Sequence, residues 1–156
     1  MRDEDFERLY AEEAAGLFSF LAYRTGDRAL AEDLLADAFE RALRGRYNPR
    51  KGSAKTWLYS IALNALRDHL RRAAAEGRAY ARVEAPVPGD PFADFEARDE
   101  LTRAIATLSP EEREAVALRF GAGLTVPEIA AILDQPLTTV EGRVYRALRK
   151  LREALG

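Results

Sequence analysis

Leu124-Thr125-Val126-Pro127-Glu128-Ile129-Ala130-Ala131-Ile132-Leu133 is followed by Asp134-Gln135-Pro136, and then by Leu137-Thr138-Thr139-Val140-Glu141-Gly142-Arg143-Val144-Tyr145-Arg146. An apolar stripe at helical spacing, a break and a second stripe spell a helix-turn-helix. Ile129, Leu133, Val140 and Val144 supply the seam between the two helices, and the small Ala130 lets them approach closely. Pro136 interrupts the chain between them. Thr125 with Glu128 has the spacing of a capping box, and Thr138 with Glu141 repeats it. The pattern predicts helices at about 125–133 and 138–154.

Working back from this stretch, Ser109-Pro110-Glu111-Glu112 reads as an N-cap, a proline at the first helical position and a glutamate closing another capping box. Gly121 and Gly123 stop that helix, which is expected at 110–120, after one at about 94–107. Further back, Ala85-Pro86-Val87-Pro88-Gly89-Asp90-Pro91 cannot be helical, with three prolines and a glycine in seven positions. It marks a linker, extended to 77–93, whose roughly 17 residues span at most about 55 Å. Three earlier stripes are again helical: Phe6, Leu9, Tyr10, Leu17, Phe20 and Leu21; Ala31, Leu34, Leu35, Ala38, Phe39 and Ala42; Leu58, Ile61, Ala62, Ala65 and Leu66. No stretch alternates with period two, so no sheet is expected. The predicted fold is all-α: two small helical domains, 1–76 and 94–156, joined by a flexible linker.

Composition narrows the chemistry. The chain has 156 residues, no cysteine and one histidine, His69, so disulfides, cysteine-ligated zinc and histidine-rich metal sites are excluded. No apolar run is long enough to cross a bilayer and no apolar signal segment opens the chain, which predicts a soluble cytoplasmic protein with no membrane partner. The net charge of −2 conceals blocks. Residues 1–40 carry 4 basic and 11 acidic side chains, residues 41–82 carry 11 and 2, residues 83–142 carry 4 and 12, and residues 143–156 carry 5 and 1. Two basic blocks at the ends of apolar-periodic segments suit nucleic-acid phosphates, while the acidic blocks suit a basic partner or shield the basic ones. The simpler alternative is that the charges only solvate helix faces.

The first basic block interleaves cations with rings. Arg46, Arg50, Lys51 and Lys55 surround Tyr47 and precede Trp57 and Tyr59; Ser60, Asn64, Arg67 and Arg71 then form a polar stripe, with Arg72 beside it. Bases stack on rings while cations track the backbone of a single strand. Asn64 offers both a donor and an acceptor to an extruded base. Against this, the Trp57 ring suits a core equally well, and Tyr47 could simply close the loop. In the second block, Arg143, Arg146, Arg149, Lys150 and Arg152 follow the helix-turn-helix, which favours DNA reading over a structural hairpin.

These residues, in this order, resemble the extracytoplasmic-function sigma factors of bacterial RNA polymerase, over nearly the whole chain. Phe6-Glu7-Arg8-Leu9-Tyr10 is similar to the opening helix of that family's domain two. The segment Ala31–Ala42 is similar to its polymerase-gripping helix. Thr56-Trp57-Leu58-Tyr59-Ser60-Ile61-Ala62-Leu63-Asn64 with Asp68-His69-Leu70-Arg71-Arg72 resembles its strongest signature. Leu108-Ser109-Pro110-Glu111-Glu112-Arg113-Glu114 and the helix-turn-helix resemble domain four. The resemblance implies an alternative sigma factor, with core polymerase, promoter DNA and an anti-sigma protein as partners, and no enzyme activity, cofactor or metal of its own. Asp33, Asp37, Glu40, Arg41 and Arg44 would meet the clamp helices of the largest polymerase subunit. Arg46, Tyr47, Lys51, Lys55, Trp57, Tyr59, Ser60, Asn64, Arg67 and Arg71 would melt and read the −10 element as a single strand. Thr138, Thr139, Arg143, Arg146, Arg149 and Lys150 would bind the −35 duplex.

The chain departs from the family pattern in places. Glu141-Gly142 stands where a basic and then a small hydroxylic residue are common, Asp134-Gln135-Pro136 where the turn often has a glycine, and Leu43 where tryptophan is frequent. Glu141 has two readings: closing the Thr138 capping box, or accepting from a cytosine amine. Two other classes remain open, a sigma mimic that sequesters a regulator and a two-domain repressor. An enzyme is disfavoured: Gly121-Ala122-Gly123 lacks the context of a phosphate loop, and Asp68-His69 has no nucleophile pattern beside it.

Overall fold

The computed structural model describes residues 2–77 and 95–156. Residues 78–94, and with them nearly all of the expected linker, lie outside the described part. The chain divides into two compact units, Met1–Val83 and Glu84–Gly156. Every regular element among the described residues is helical: α1 (Asp3–Thr25), α2 (Arg28–Arg44) and α3 (Ala54–Ala75) in the first unit, and α4 (Phe95–Ala106), α5 (Pro110–Val116), α6 (Val126–Leu133) and α7 (Leu137–Leu155) in the second.

In the N-terminal unit, α2 packs against both α1 and α3, and α1 also meets α3. The corner between α1 and α2 is closed by local chemistry. Gly26 takes a left-handed φ of 64° and its N–H reaches the Ala22 carbonyl. Asp27 then caps α2 by accepting from the Leu30 N–H at 3.1 Å. Leu17, Leu21, Leu34, Phe39, Leu58, Leu63 and Leu66 form the core with small Ala31, Ala38 and Ala62 between them. Each such leucine is worth about 1.5–3 kcal/mol of transfer free energy.

In the C-terminal unit, α7 is the hub against which α4, α5 and α6 all pack. The seam read from sequence is present: Ile129, Leu133, Val140 and Val144 are all buried. The box at Ser109 forms, with the Ser109 N–H on Glu112 Oε1 at 2.8 Å and the Glu112 N–H on Ser109 Oγ at 3.2 Å. The one at Thr125 and Glu128 forms likewise.

Two expectations are corrected. The helix expected at 110–120 is α-helical only to Val116; it then widens into a π turn over Ala117–Gly121. There the Ala122 N–H reaches the Ala117 carbonyl and the Leu124 N–H the Leu118 carbonyl, with Gly123 at a φ of 72°. The wide turn and left-handed exit bring Leu118 and Leu124, both fully buried, into one core. The third capping box does not form. Pro136 is the N-cap of α7, with no side-chain hydrogen bond, and Leu137 is the first helical residue. The N–H groups of Thr139 and Val140 both go to the Pro136 carbonyl, so Thr138 already lies inside the helix. The unusual turn residue has a physical reading: Asp134 sits at φ 52°, ψ 49°, the left-handed conformation that favours glycine and that aspartate tolerates.

Candidate nucleic-acid interface

Helix α3 presents two unlike faces. Leu58, Tyr59, Ala62, Leu63 and Leu66 point into the unit. Trp57, Ser60, Asn64, Arg67 and Arg71, at alternating steps of three and four, run down the other side; Asn64, Arg67 and Arg71 are exposed and Trp57 and Ser60 half-buried. The Ser60 hydroxyl bends back to the Thr56 carbonyl at 3.1 Å. Tyr59 departs from its expected place. It is 0% exposed, its ring lies 6.1 Å from that of Phe20, and its hydroxyl faces Gly16. It belongs to the core and not to a DNA-facing surface, because α1 covers that side of α3. Burial, and next the Glu13 carboxylate, push the pKa of its hydroxyl well above the ordinary tyrosine value.

The basic loop before α3 is ordered by its own side chains. Asn48 accepts from the Arg50 N–H at 3.0 Å and opens the 3₁₀ turn Pro49–Lys51. The Tyr47 hydroxyl donates to the Gly52 carbonyl at 2.8 Å, so Tyr47 does close the loop. Its ring also lies 5.4 Å from Trp57, at 40°. A Cβ on Gly45 would sit only 2.9 Å from Trp57 Cζ2, so glycine is what lets the indole lie across the end of α2. The result is a small aromatic pair flanked by exposed Arg46, Arg50 and Lys51. Lys55, half-buried, leans 4.0 Å from Glu13 of α1.

The polar candidates of α2 pair along their own helix: Arg41 with Asp37 at 3.1 Å and Arg44 with Glu40 at 2.8 Å, while Asp33 is exposed. Such surface pairs are weak and exchange readily for external partners. Arg41 also lies 3.7 Å from Asp68 of α3, which in turn holds Arg71 at 3.2 Å. These three and Arg72 line an open cleft of about 410 Å³. Thus Arg41 and Arg71, assigned to different partners from sequence, share one surface through Asp68. The sequence placed Asp68 in the signature segment and beside His69 but not between Arg41 and Arg71; its bridging position depends on how α2 and α3 cross.

On α7, Thr138, Arg146 and Arg149 are exposed, and Thr139, Arg143 and Lys150 half-buried. Tyr145, also exposed, was not among the expected contacts. Glu141 lies on the exposed surface and closes no cap. Arg146 and Lys150 do not simply face outward. Lys150 Nζ is 2.7 Å from Glu112 Oε1 and Arg146 Nε is 4.0 Å from Glu112 Oε2, with Glu112 only 4% exposed. Burial pushes the Glu112 pKa up, but hydrogen bonds from Lys150 and Ser109 outweigh it and hold the carboxyl below its ordinary value. No helix among the described residues is long and apolar enough to cross a membrane, and no cluster there could hold a metal ion.

Comparison with known proteins covers both units. Residues 9–76 match the family model of sigma-70 region 2, and residues 98–151 that of sigma-70 region 4. The RNA polymerase sigma factor CarQ of Myxococcus xanthus is 38% identical over 160 residues, covering 97% of this chain and 89% of that protein. The ECF RNA polymerase sigma factor BldN of Streptomyces coelicolor is 32% identical, covering 96% of this chain but 60% of its own length. SigC of Mycobacterium tuberculosis is 37% identical, covering 84% and 72% respectively. Among solved structures, the sigma factor RpoE of Bartonella quintana, in complex with the anti-sigma factor NepR, shares the fold with a TM-score of 0.76 at 24% identity, covering 97% of both chains. CnrH, in complex with the cytosolic domain of CnrY, has a TM-score of 0.70 at 25% identity, covering 99% of this chain and 89% of that one.

Proposed function

This chain belongs to the sigma-70 family of RNA polymerase sigma factors, in its extracytoplasmic-function branch, and on that footing we propose how its two units divide the work of promoter recognition. As an alternative sigma factor it binds core polymerase and directs transcription initiation. The N-terminal unit meets the clamp helices of the largest polymerase subunit through the exposed side of α2, with Asp33, Asp37, Glu40, Arg41 and Arg44 exchanging their internal pairs for external ones. The outward stripe of α3 and the loop before it hold the melted −10 strand. Arg46, Lys51, Lys55, Arg67 and Arg71 track the phosphates, and Asn64 reads a base that has left the stack. The Tyr47–Trp57 pair forms the wall beside that base, and Ser60 lines the same stripe. In the C-terminal unit, Thr138, Thr139, Arg143 and Arg149 place α7 in the major groove of the −35 duplex.

The observation that carries this reading is the pairing of an exposed amide, Asn64, with a fixed aromatic pair and exposed cations on one side of α3. Unstacking a base costs a few kcal/mol. Stacking on a ring returns about 1–3 kcal/mol per base, so the aromatic wall and the amide together match the cost. No step requires bond chemistry from this chain; binding energy opens the duplex, and the polymerase makes RNA. The working compartment is the cytoplasm, where the polymerase is. An anti-sigma protein is the regulatory partner, as NepR is for the similar chain RpoE.

The test is in vitro transcription with core polymerase on a genomic fragment library, with start sites read out. Enrichment of one two-block motif is expected. On the promoter so found, Asn64→Ala should cut permanganate reactivity of the −10 region by about tenfold or more, with polymerase binding unchanged. Arg143→Glu should erase −35 protection. Normal melting by the Asn64 variant would refute the base-reading role. Failure of the wild-type chain to bind core polymerase would refute the whole scheme.

A further inference from the structure

Glu112, in the first turn of α5, makes contacts that capping alone does not require. It is the one charged side chain among the described residues that is buried, at 4% exposure. A capping box needs an acceptor for the N-cap N–H, and a neutral glutamine serves as well as a glutamate. Glu112 meets that need through Ser109 at 2.8 Å. The same carboxylate also takes Lys150 at 2.7 Å, from 38 residues away, and has Arg146 at 4.0 Å on its second oxygen. Its charge therefore reaches α7 as well as the start of α5.

A second observation concerns Arg146. A Cβ on Gly142 would stand 3.1 Å from Arg146 Nη1 and 3.7 Å from its Cζ. The guanidinium thus lies back over the bare backbone of Gly142, in space that any side chain there would contest. Glycine at this position is expensive within a helix, by about 1 kcal/mol against alanine. Glu112 on one side and the missing side chain on the other define one resting place for Arg146.

We propose that Glu112 is a positioning residue for duplex reading: its buried carboxylate withdraws Lys150 and Arg146 from DNA phosphates, and Gly142 makes room for Arg146 to be withdrawn. The inference rests on the reading of α7 as the −35 helix. Phosphate contacts bind every sequence alike, whereas base-edge contacts discriminate. The single negative charge of Glu112 cancels one positive charge, held closely by Lys150 at 2.7 Å and shared loosely with Arg146 at 4.0 Å; this lowers the affinity of α7 for any duplex and leaves discrimination to the outward residues near the start of the helix. Arg143, Arg149 and Arg152 are the α7 cations with no ion pair among the described residues.

The experiment measures binding of the full chain, loaded on core polymerase, to cognate and scrambled −35 duplexes across a potassium chloride series. Each phosphate contact adds about 0.9 to the slope of log affinity against log salt. Lys150→Gln should leave that slope unchanged, because Lys150 already spends its charge on Glu112. Glu112→Gln keeps the Ser109 cap but removes the one charge that Lys150 and Arg146 share; it should steepen the slope by up to about 0.9 and narrow the cognate-to-scrambled ratio several-fold. Gly142→Ser should steepen it by about half as much. A slope reduced by about 0.9 in Lys150→Gln would overturn the inference while leaving the −35 reading intact. So would an unchanged slope and ratio in Glu112→Gln, with thermal unfolding of the C-terminal unit still cooperative. If the wild-type protein itself fails to separate cognate from scrambled duplex, the reading of α7 falls, and this inference with it.

Discussion

Replacing Tyr59 by phenylalanine should stabilise the N-terminal unit. Tyr59 is 0% exposed, and its hydroxyl has no hydrogen-bond partner among the described residues. A hydroxyl taken out of water without a partner costs roughly 1–3 kcal/mol on mutational scales. Tyr59→Phe removes that cost and keeps the ring against Phe20, 6.1 Å away between centroids. The small void left beside Gly16, whose Cβ position is 3.5 Å from the hydroxyl, offsets part of the gain. A net stabilisation of about 1 kcal/mol follows, or about 4–8 °C in Tm for a unit of this size. Trp57 is the chain's single tryptophan and lies in this unit, so its fluorescence follows the N-terminal transition alone. The pH dependence supplies a second arm. The folded-state pKa of Tyr59 is raised above that of the unfolded chain, first by burial and then by Glu13. The folded state therefore keeps a proton that the unfolded state releases. Wild-type stability is complete below the ordinary tyrosine pKa of about 10 and declines as pH rises beyond it, while the phenylalanine variant lacks this decline. The Tm gap between the two proteins should widen above about pH 10. A variant that melts several degrees lower at neutral pH would refute the reasoning by showing that the hydroxyl has a partner, and a gap that stays constant into alkali would refute it by showing that burial does not raise the hydroxyl's pKa.

Two further predictions concern the C-terminal unit. Thr125→Ala removes a cap that forms and should cost about 1 kcal/mol, whereas Thr138→Ala removes one that does not and should stay within about 0.5 kcal/mol. Hydrogen exchange at the Ile129 and Val140 amides separates the two, and equal losses would restore the third box. The second follows from the lowered pKa of Glu112, despite its burial, through Lys150 and Ser109. The stability it contributes is complete above the ordinary glutamate pKa of about 4.3 and is lost as pH falls through the lower folded value. Amide protection in α5 and α7 should thus differ between wild type and Glu112→Gln at neutral pH and converge in acid; a difference that persists under acid conditions would show that the charge is not its source.

The helix-turn-helix was legible because its cues are local. Apolar residues at helical spacing, a capping Thr125 with Glu128, and Pro136 act within a few residues of themselves, and Ile129, Leu133, Val140 and Val144 are buried as their period demands. The same locality explains the failed box. Thr138 and Glu141 have the same spacing as Thr125 and Glu128, but the turn after Asp134 starts α7 at Leu137, so Pro136 takes the cap. Spacing names a box; the path of the preceding chain decides whether it is at a helix end. In the same way, Tyr47 closing the loop was foreseen as one option, while its approach to Trp57 across Gly45 was not.

The polar candidates show where local reading stops. Tyr59 and Asn64 are both polar residues on α3, and amphipathic pattern alone does not exclude a tyrosine from the outward face. The covering of its side by α1 does. Lys150 and Arg146 continue a basic run, and nothing nearby in sequence hints that their partner is Glu112. The sequence by itself determined which segments are helical and where most of them begin, because backbone hydrogen bonding and helical period act over a handful of residues. Tertiary structure alone decided that Lys150 and Arg146 are paired with Glu112 and Arg41 with Asp68, because a side chain's electrostatic neighbours come from segments that only packing brings together.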